Sequence, residues 1–367
     1  MKISIFAGIL LGLSIIFDGY MENIFIIATT IVIYTYFTYY EIKYKKFFGG
    51  LLLSFVIINI AINTIIKDDI DLKNIEIGEQ QDETVVMLLY DGEDRNYNFR
   101  ERANEIYFEK GYKSYLTNTY DLLKYKSYYE KLGSSEFKDV TYDISVELRD
   151  KLGGNYKVVN TYMYTKPYFE NVLQEILSIG YRNIIICPMF ITEGKDYEVF
   201  KDRLNEMKLS KYGINVKLTD VFYKSNSLAK LYKNEIVESV SENTSAGVLL
   251  IGLEDENNLE QDIIFREKIK YYIEKEKNNE IQIKMPLLEN NKDDIIKSGE
   301  ELLEFGIDIL HVIIPTCTID NMHNKNLVES ILNELDASQV RFHYIDPKDK
   351  VKILAEEVYT QITLMEK

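Results

Sequence analysis

Three apolar runs, Ile3–Phe17, Ile24–Tyr40 and Phe47–Ile66, open the chain and are nearly free of charge. A transmembrane helix needs about 20 apolar residues, with ~17 as the lower bound. The third run meets the full length and the first two are borderline, and three spans over residues 1–66 are predicted. Beyond residue 66 the pattern changes. Short apolar runs recur at Val85–Tyr90, Lys157–Tyr162, Asn183–Pro188, Val216–Val221, Gly247–Ile251, Ile281–Met285, Leu310–Pro315 and Val340–Ile345. Helical periodicities fill the spaces between them, including Asn98–Lys110, Val140–Leu152, Tyr168–Ile179, Lys195–Met207 and Ser227–Ser239. Strands alternating with helices predict an α/β fold with parallel sheets covered on both faces.

The pattern also repeats. Val85–Asp94 resembles Val248–Glu256, a strand followed by an acidic turn, and Gly180–Pro188 resembles Gly306–Pro315, a glycine, a strand and a proline. Two Rossmann-like lobes follow, residues 84–243 and 244–367, with the boundary near Asn243 and a polar linker over 67–83. Ligands of such sheets bind beyond the carboxyl ends of the strands, so a shared cleft between the lobes is expected.

Charge narrows the partners. The 367-residue chain carries a net charge of −16, nearly all of it after the apolar runs, since Met1–Ile70 holds five lysines and five acidic residues. Such a balance repels phosphate backbones and argues against nucleic acid. A cleaved signal peptide fits poorly, because Phe17-Asp18-Gly19-Tyr20 is a poor cleavage site and two more apolar runs follow. Lys2 and the Lys43–Lys46 cluster belong on the cytoplasmic face by the positive-inside rule. After three spans the α/β part then lies outside the cytoplasm, and the lipid bilayer is a partner.

The chemistry-bearing motifs are sparse. No glycine-rich phosphate loop, Walker pattern or G-x-S-x-G elbow occurs. Cys187 and Cys317 are far apart and lie in apolar runs, which suits buried thiols. Of three histidines, His311 and His343 fall in strand runs and read as core positions. His323 lies in the polar stretch after Pro315, where a ligand cleft opens. At the matching strand end of the first half, Glu193, Asp196 and Glu198 are carboxylates suited to a hard cation, or to the start of the helix at Lys195. Glu254-Asp255-Glu256 similarly suits a helix start.

The order of segments resembles ferrochelatase, of the class II chelatase superfamily. Val86–Gly92 resembles that family's opening strand with its Tyr-Gly turn, and Tyr128–Ser135 its Tyr…Gly-Gly-x-Ser-Pro segment without the second glycine and the proline. Thr165–Phe169, Ile184–Phe190 and Leu218–Tyr223 resemble a proline-containing helix approach, a strand ending in a Pro-x-aromatic turn, and the next strand with its aromatic pair. The resemblance implies insertion of a divalent metal, iron above all, into a tetrapyrrole, or binding of either, in the cleft. Tyr90 matches the family's tyrosine and, with Tyr164 and Leu253, is expected against the ring; from the residues themselves Asp196 and Glu198 are expected to receive the metal, and His323 with Tyr90 to be the catalytic groups. The sequence also departs from the family. Leu253 stands where the family has its histidine, and Asn324, beside His323, where it has its glutamate. In the cobaltochelatase branch a histidine follows a Gly-Lys pair; here Asp196 follows Gly194-Lys195. A competing reading is therefore an inactive carrier or sensor of heme, porphyrin or metal, and a third is a structural membrane protein.

Overall fold

The computed structural model describes residues 1–40, 43–66, 77–240, 244–253, 259–277, 280–288, 292–335, 340–344 and 349–366. The expected lobe boundary near Asn243, most of the linker and the turn Glu254–Glu256 lie outside these. The chain divides into two compact units, one of residues 1–71, 93–135 and 164–166, the other of 72–92, 136–163 and 167–367.

The first unit is helical. The apolar runs form α1 (Lys2–Ile16), α2 (Tyr20–Tyr39) and α3 (Tyr44–Ala61), joined by α4 (Phe99–Lys110) and α5 (Ser114–Leu132). Two apolar helical stretches, Tyr20–Tyr39 and Tyr44–Thr64, are long enough to cross a membrane; α1, at 15 residues, is shorter. Small residues bring α1 and α3 together. A Cβ on Gly8 would stand 1.8 Å from Ser54 Oγ, one on Gly12 would stand 2.0 Å from Ile58 Cδ1, and one on Gly50 would stand 2.1 Å from Ser4 Oγ. The contacts advance together along both helices, so α1 and α3 run parallel.

Buried polar bonds fix α5 to these helices. Asn59 Oδ1 accepts from Thr119 N at 2.8 Å and Thr119 Oγ1 at 2.9 Å, and Asn59 Nδ2 donates to Leu116 O at 3.0 Å. Ser114 Oγ donates to Asn63 Oδ1 at 3.0 Å. Lys126 is buried; its ammonium donates to Ser14 O (3.0 Å) and Phe17 O (2.7 Å) and pairs with Glu22 at 2.8 Å. A cation at the end of α1 and a carboxylate in the first turn of α2 both suit the helix dipoles.

The second unit holds two four-stranded parallel sheets. The first contains β1 (Gln81–Tyr90), β2 (Tyr156–Tyr162), β3 (Tyr181–Pro188) and β4 (Asn215–Leu218) in the order β2-β1-β3-β4. The second contains β5 (Ala246–Leu250), β7 (Gln282–Lys284), β9 (Ile309–Ile313) and β10 (Arg341–Tyr344) in the order β10-β9-β5-β7. Read from the other edge, the second order is that of the first, so the two sheets share one topology, as the sequence repeat predicts. Two short strands, β6 (Gly252–Leu253) and β8 (Leu287–Leu288), pair beyond β5 and β7. The helices between strands are α6 (Phe137–Leu152), α7 (Phe169–Ile179), α8 (Lys195–Glu206), α9 (Asn226–Ser239), α10 (Leu259–Lys277), α11 (Asp293–Glu304), α12 (Met322–Glu334) and α13 (Lys350–Met365).

Val85–Leu89 in β1 and Ala246–Leu250 in β5 are buried on both faces, which is why they read as unbroken apolar runs. One core cluster joins residues of both sheets, among them Val86, Leu88, Ile185, Val248, Leu250 and Ile313, with Val358 and Ile362 of α13. The linker expected to run to residue 83 is shorter, because β1 starts at Gln81, bonded to Gly180 O at 3.0 Å.

His311 is a core position, as read from the sequence, and His343 is exposed beside it, with ring centroids 5.4 Å apart. Ser239 Oγ lies 3.1 Å from His311 Nε2. Burial, and to a lesser degree His343, push the His311 imidazole down to about 4. The unfolded chain takes this proton near pH 6.5. Its contribution to stability is therefore full above pH 6.5, is lost as pH falls, and levels off below 4, a change of about 3 kcal/mol. Urea titrations across this window check it: H311L removes that part of the slope, and an unchanged slope refutes the assignment.

Candidate functional site

The carboxyl ends of β1 and β3 lie side by side, since Leu89 is in register with Pro188. β1 runs out at Tyr90 into the half-buried Asp91, and Gly92 turns the chain with φ +98°. β3 ends at Pro188, and the chain passes through Met189, Ile191 and Gly194 to α8. Gly194 is the N-cap and has no side chain to cap with; Asp196 and Glu198 follow in the first turn, half-buried and exposed respectively. Asp91 thus follows β1 directly, whereas Asp196 stands in the first turn of α8, the helix that follows the neighbouring strand β3.

The second sheet presents its tips to the first. Beyond β9, Thr318 Oγ1 donates to Met189 O at 2.5 Å. Glu193 N donates to Gln261 Oε1 of α10 at 2.8 Å. Met189 and Ile191 share the core cluster with Ile313 and Ile319, so the described floor between the tips is apolar. Above it lies a polar knot of Asp91, Cys317, Asp320 and Lys350. Burial, then the charges of Asp91 and Asp320, push the Cys317 thiol well up, with Lys350 opposing, so it stays protonated at neutral pH. Asn321 Oδ1 caps α12 by accepting from Asn324 N at 2.9 Å, which places the half-buried His323 in the first turn.

Other expected groups fall elsewhere. Tyr90 is fully buried, packed by Phe137 (6.2 Å) and Tyr162 (5.9 Å), and burial raises its phenol. Tyr164 is also buried, 6.1 Å from Phe108 in the helical unit. Neither offers surface to a macrocycle in this conformation, contrary to the sequence expectation, because each aromatic ring completes a core. Leu253 pairs through its backbone with Leu288 in the short strand β6; its side chain lies outside the described residues.

Arg266 organises the second lobe's tips. It is buried; Nε and Nη2 bond Asp262 Oδ2 at 2.9 and 2.6 Å, and Nη1 donates to Leu250 O, Met285 O and Pro286 O at 3.0–3.4 Å. Gly252 leaves room for this, since a Cβ there would come within 2.6 Å of Arg266 Nη2. Among the described residues, three acidic groups close enough to share a cation occur at Asp18, Glu22 and Glu130 in the helical unit, where Glu22 already pairs with Lys126.

Residues 133–239 match the CbiX family. A ferrochelatase of Aquifex aeolicus is 30% identical over 123 residues, 32% of this chain. Over these stretches the chain resembles chelatases. The matched stretch spans only 39% of that ferrochelatase, and the CbiX match starts at Gly133, just past α5. Among solved structures, SirB from Bacillus subtilis with Fe3+ superimposes with a TM-score of 0.51 at 11% identity, covering 77% of this chain and 97% of that one. The sirohydrochlorin chelatase SirB from Bacillus subtilis subspecies spizizenii in complex with cobalt gives 0.48 at 12% identity, over 78% and 98%. The resemblance to chelatases read from the sequence is borne out over residues 133–239.

Proposed function

We propose that this chelatase-like chain binds a divalent metal ion, as such or on its way into a tetrapyrrole, at the carboxyl ends of its strands. Asp91 and Asp196 are the oxygen ligands, with Glu198 at the rim, and His323 accepts protons. What supports this reading is that β1 and β3 end side by side, with Asp91 directly after β1 and Asp196 in the first turn of the helix that follows β3, beside an apolar floor suited to a flat, greasy ring. Carboxylates favour hard cations such as magnesium or manganese over soft ones. Insertion must also remove two pyrrole protons, and an imidazole takes protons near neutral pH. The carrier or sensor reading is favoured by Leu253 at the position of the family's histidine. Adding cobalt(II) to the full chain in detergent, then a porphyrin with zinc, tests both readings. Ligand-field bands and a shifted Soret band are expected. Metalloporphyrin formation above background marks an enzyme and a Soret shift alone a carrier; neither response overturns the proposal.

The same reading sets α1, α2 and α3 in a bilayer. Ile27, Ile31 and Tyr34 of α2 and Phe48 and Leu52 of α3 are exposed. Thr29, Thr30, Thr35 and Thr38 each return their hydroxyl to the carbonyl four residues earlier, as lipid requires. The close α1–α3 contact through Ser4, Gly8, Gly12, Gly50 and Ser54 follows the small-residue packing of membrane helices. Parallel α1 and α3 put Lys2 and Lys43–Lys46 at one end, so the positive-inside rule sends the α/β part outside the cytoplasm. Reporter fusions at residues 44 and 367 are expected to read inside and outside; the reverse pattern refutes this orientation.

A further inference from the structure

We infer that the first half of α5 lies on the bilayer surface, with Tyr112, Leu116, Tyr120 and Leu123 in the boundary between headgroups and acyl chains. This inference rests on the membrane reading of α2 and α3 and extends it to a segment outside the apolar runs. Leu116, Tyr120 and Leu123 recur at helical spacing on one face of α5, and Tyr112 continues that face one turn before it. Tyr112, Leu116 and Tyr120 are 89, 73 and 71% exposed, as open as Tyr39 of α2 and Leu52 of α3 at 76 and 70%. Further along the helix the exposed positions turn polar, to Lys124, Ser127, Glu130 and Lys131. The apolar stripe thus ends halfway along α5.

Depth comes from the bonds that hold α5 to α3. Asn59 and Asn63 are the buried polar residues near the end of the third apolar run. They bond Leu116 O, Thr119 and Ser114, so the apolar half of α5 crosses where α3 ceases to be purely apolar. The exposed apolar surface of Ile57 and Ile60 on α3 therefore continues at that level onto Leu116 and Tyr120. Tyrosines flanked by lysines, here Lys113 and Lys124, suit the headgroup region: the ring sits at the boundary and the ammonium meets lipid phosphate. A water-facing stripe of this kind would expose four large apolar side chains without a partner.

Single cysteines at positions 116, 120, 127 and 27, placed in the full-length C317S chain and labelled with an environment-sensitive dye, test this in nanodiscs of phosphatidylcholine with phosphatidylglycerol. Cys187 is fully buried. Labels at 116 and 120 are expected to shift to the blue and to be quenched about twofold more by a shallow lipid spin label than the label at 127. Quenching at 27 without quenching at 116 and 120 overturns the α5 inference and leaves the membrane reading standing. No quenching at 27 overturns both. A blue shift at 116 without lipid quenching means a protein covers the stripe, which also overturns it.

Discussion

Replacing Arg266 by leucine is expected to lower the unfolding free energy of the α/β unit by about 3–5 kcal/mol, the cost typical of removing one member of a buried ion pair. The cause is local and threefold. Asp262, itself buried, loses two guanidinium bonds to Oδ2. Leu250 O, Met285 O and Pro286 O lose a shared donor at the point where β5 and β7 end. A leucine then leaves a void beside Gly252, which has no side chain to fill it. For a unit of this size the loss corresponds to a fall in melting temperature of about 10 °C. Lysine is no remedy, because an ammonium cannot reach three carbonyls and a carboxylate with a planar fork. Differential scanning calorimetry of wild type, R266L and R266K checks this; a melting point within ~2 °C of wild type for R266L would mean that the cluster is solvated rather than structural.

The strand–helix alternation was legible because the central strands, β1, β3, β5 and β9, carry unbroken buried runs and the helices between strands bury one face. All eight expected strands are present, and their ends shift by a few residues where polar side chains continue a strand, as at Gln81–Thr84. What the sequence hid was α5. Its buried positions mix Asn118, Thr119, Asp121 and Lys126 with Leu122, Tyr128 and Tyr129, and its exposed ones mix Leu116, Tyr120 and Leu123 with Lys124 and Glu130, so the usual apolar-in, polar-out period is blurred. Arg266 was hidden for a related reason: nothing in its neighbourhood marks a charged residue as the largest fully buried side chain. The positions of Asp196 and His323 in the first turns of α8 and α12 follow from the helix boundaries and were readable. Asp91 was legible only as a turn, because its significance depends on β3 lying beside β1, and that pairing skips β2. Tyr90 and Tyr164 misled because an aromatic at a strand end serves a core and a ring-binding floor equally well by sequence.

The largest effect on ligand binding is expected at those two carboxylates. If Asp91 and Asp196 jointly hold the cation, the double variant D91N/D196N loses affinity about a thousandfold, some 4 kcal/mol. Asparagine keeps the shape and one oxygen but removes the charge that a hard cation requires. Asp196 stands in the first turn of α8, where the helix dipole already favours a negative group, so D196N also gives up a small part of the helix's own stability, about 0.3–1 kcal/mol. That cost is too small to unfold the unit and separates the two effects. Asp91 also acts on its neighbour: it helps to hold the Cys317 thiol protonated. Removing its charge lets that thiol ionise more readily, and a thiolate is itself a metal ligand of a softer kind. D91N alone is thus expected to weaken manganese(II) more than zinc(II), whereas D196N weakens both alike. Calorimetric titration of each metal into wild type and the three variants, with unfolding curves alongside, decides this. Equal affinities across all four proteins would remove both aspartates from the site and, with them, the proposed chemistry of the strand tips.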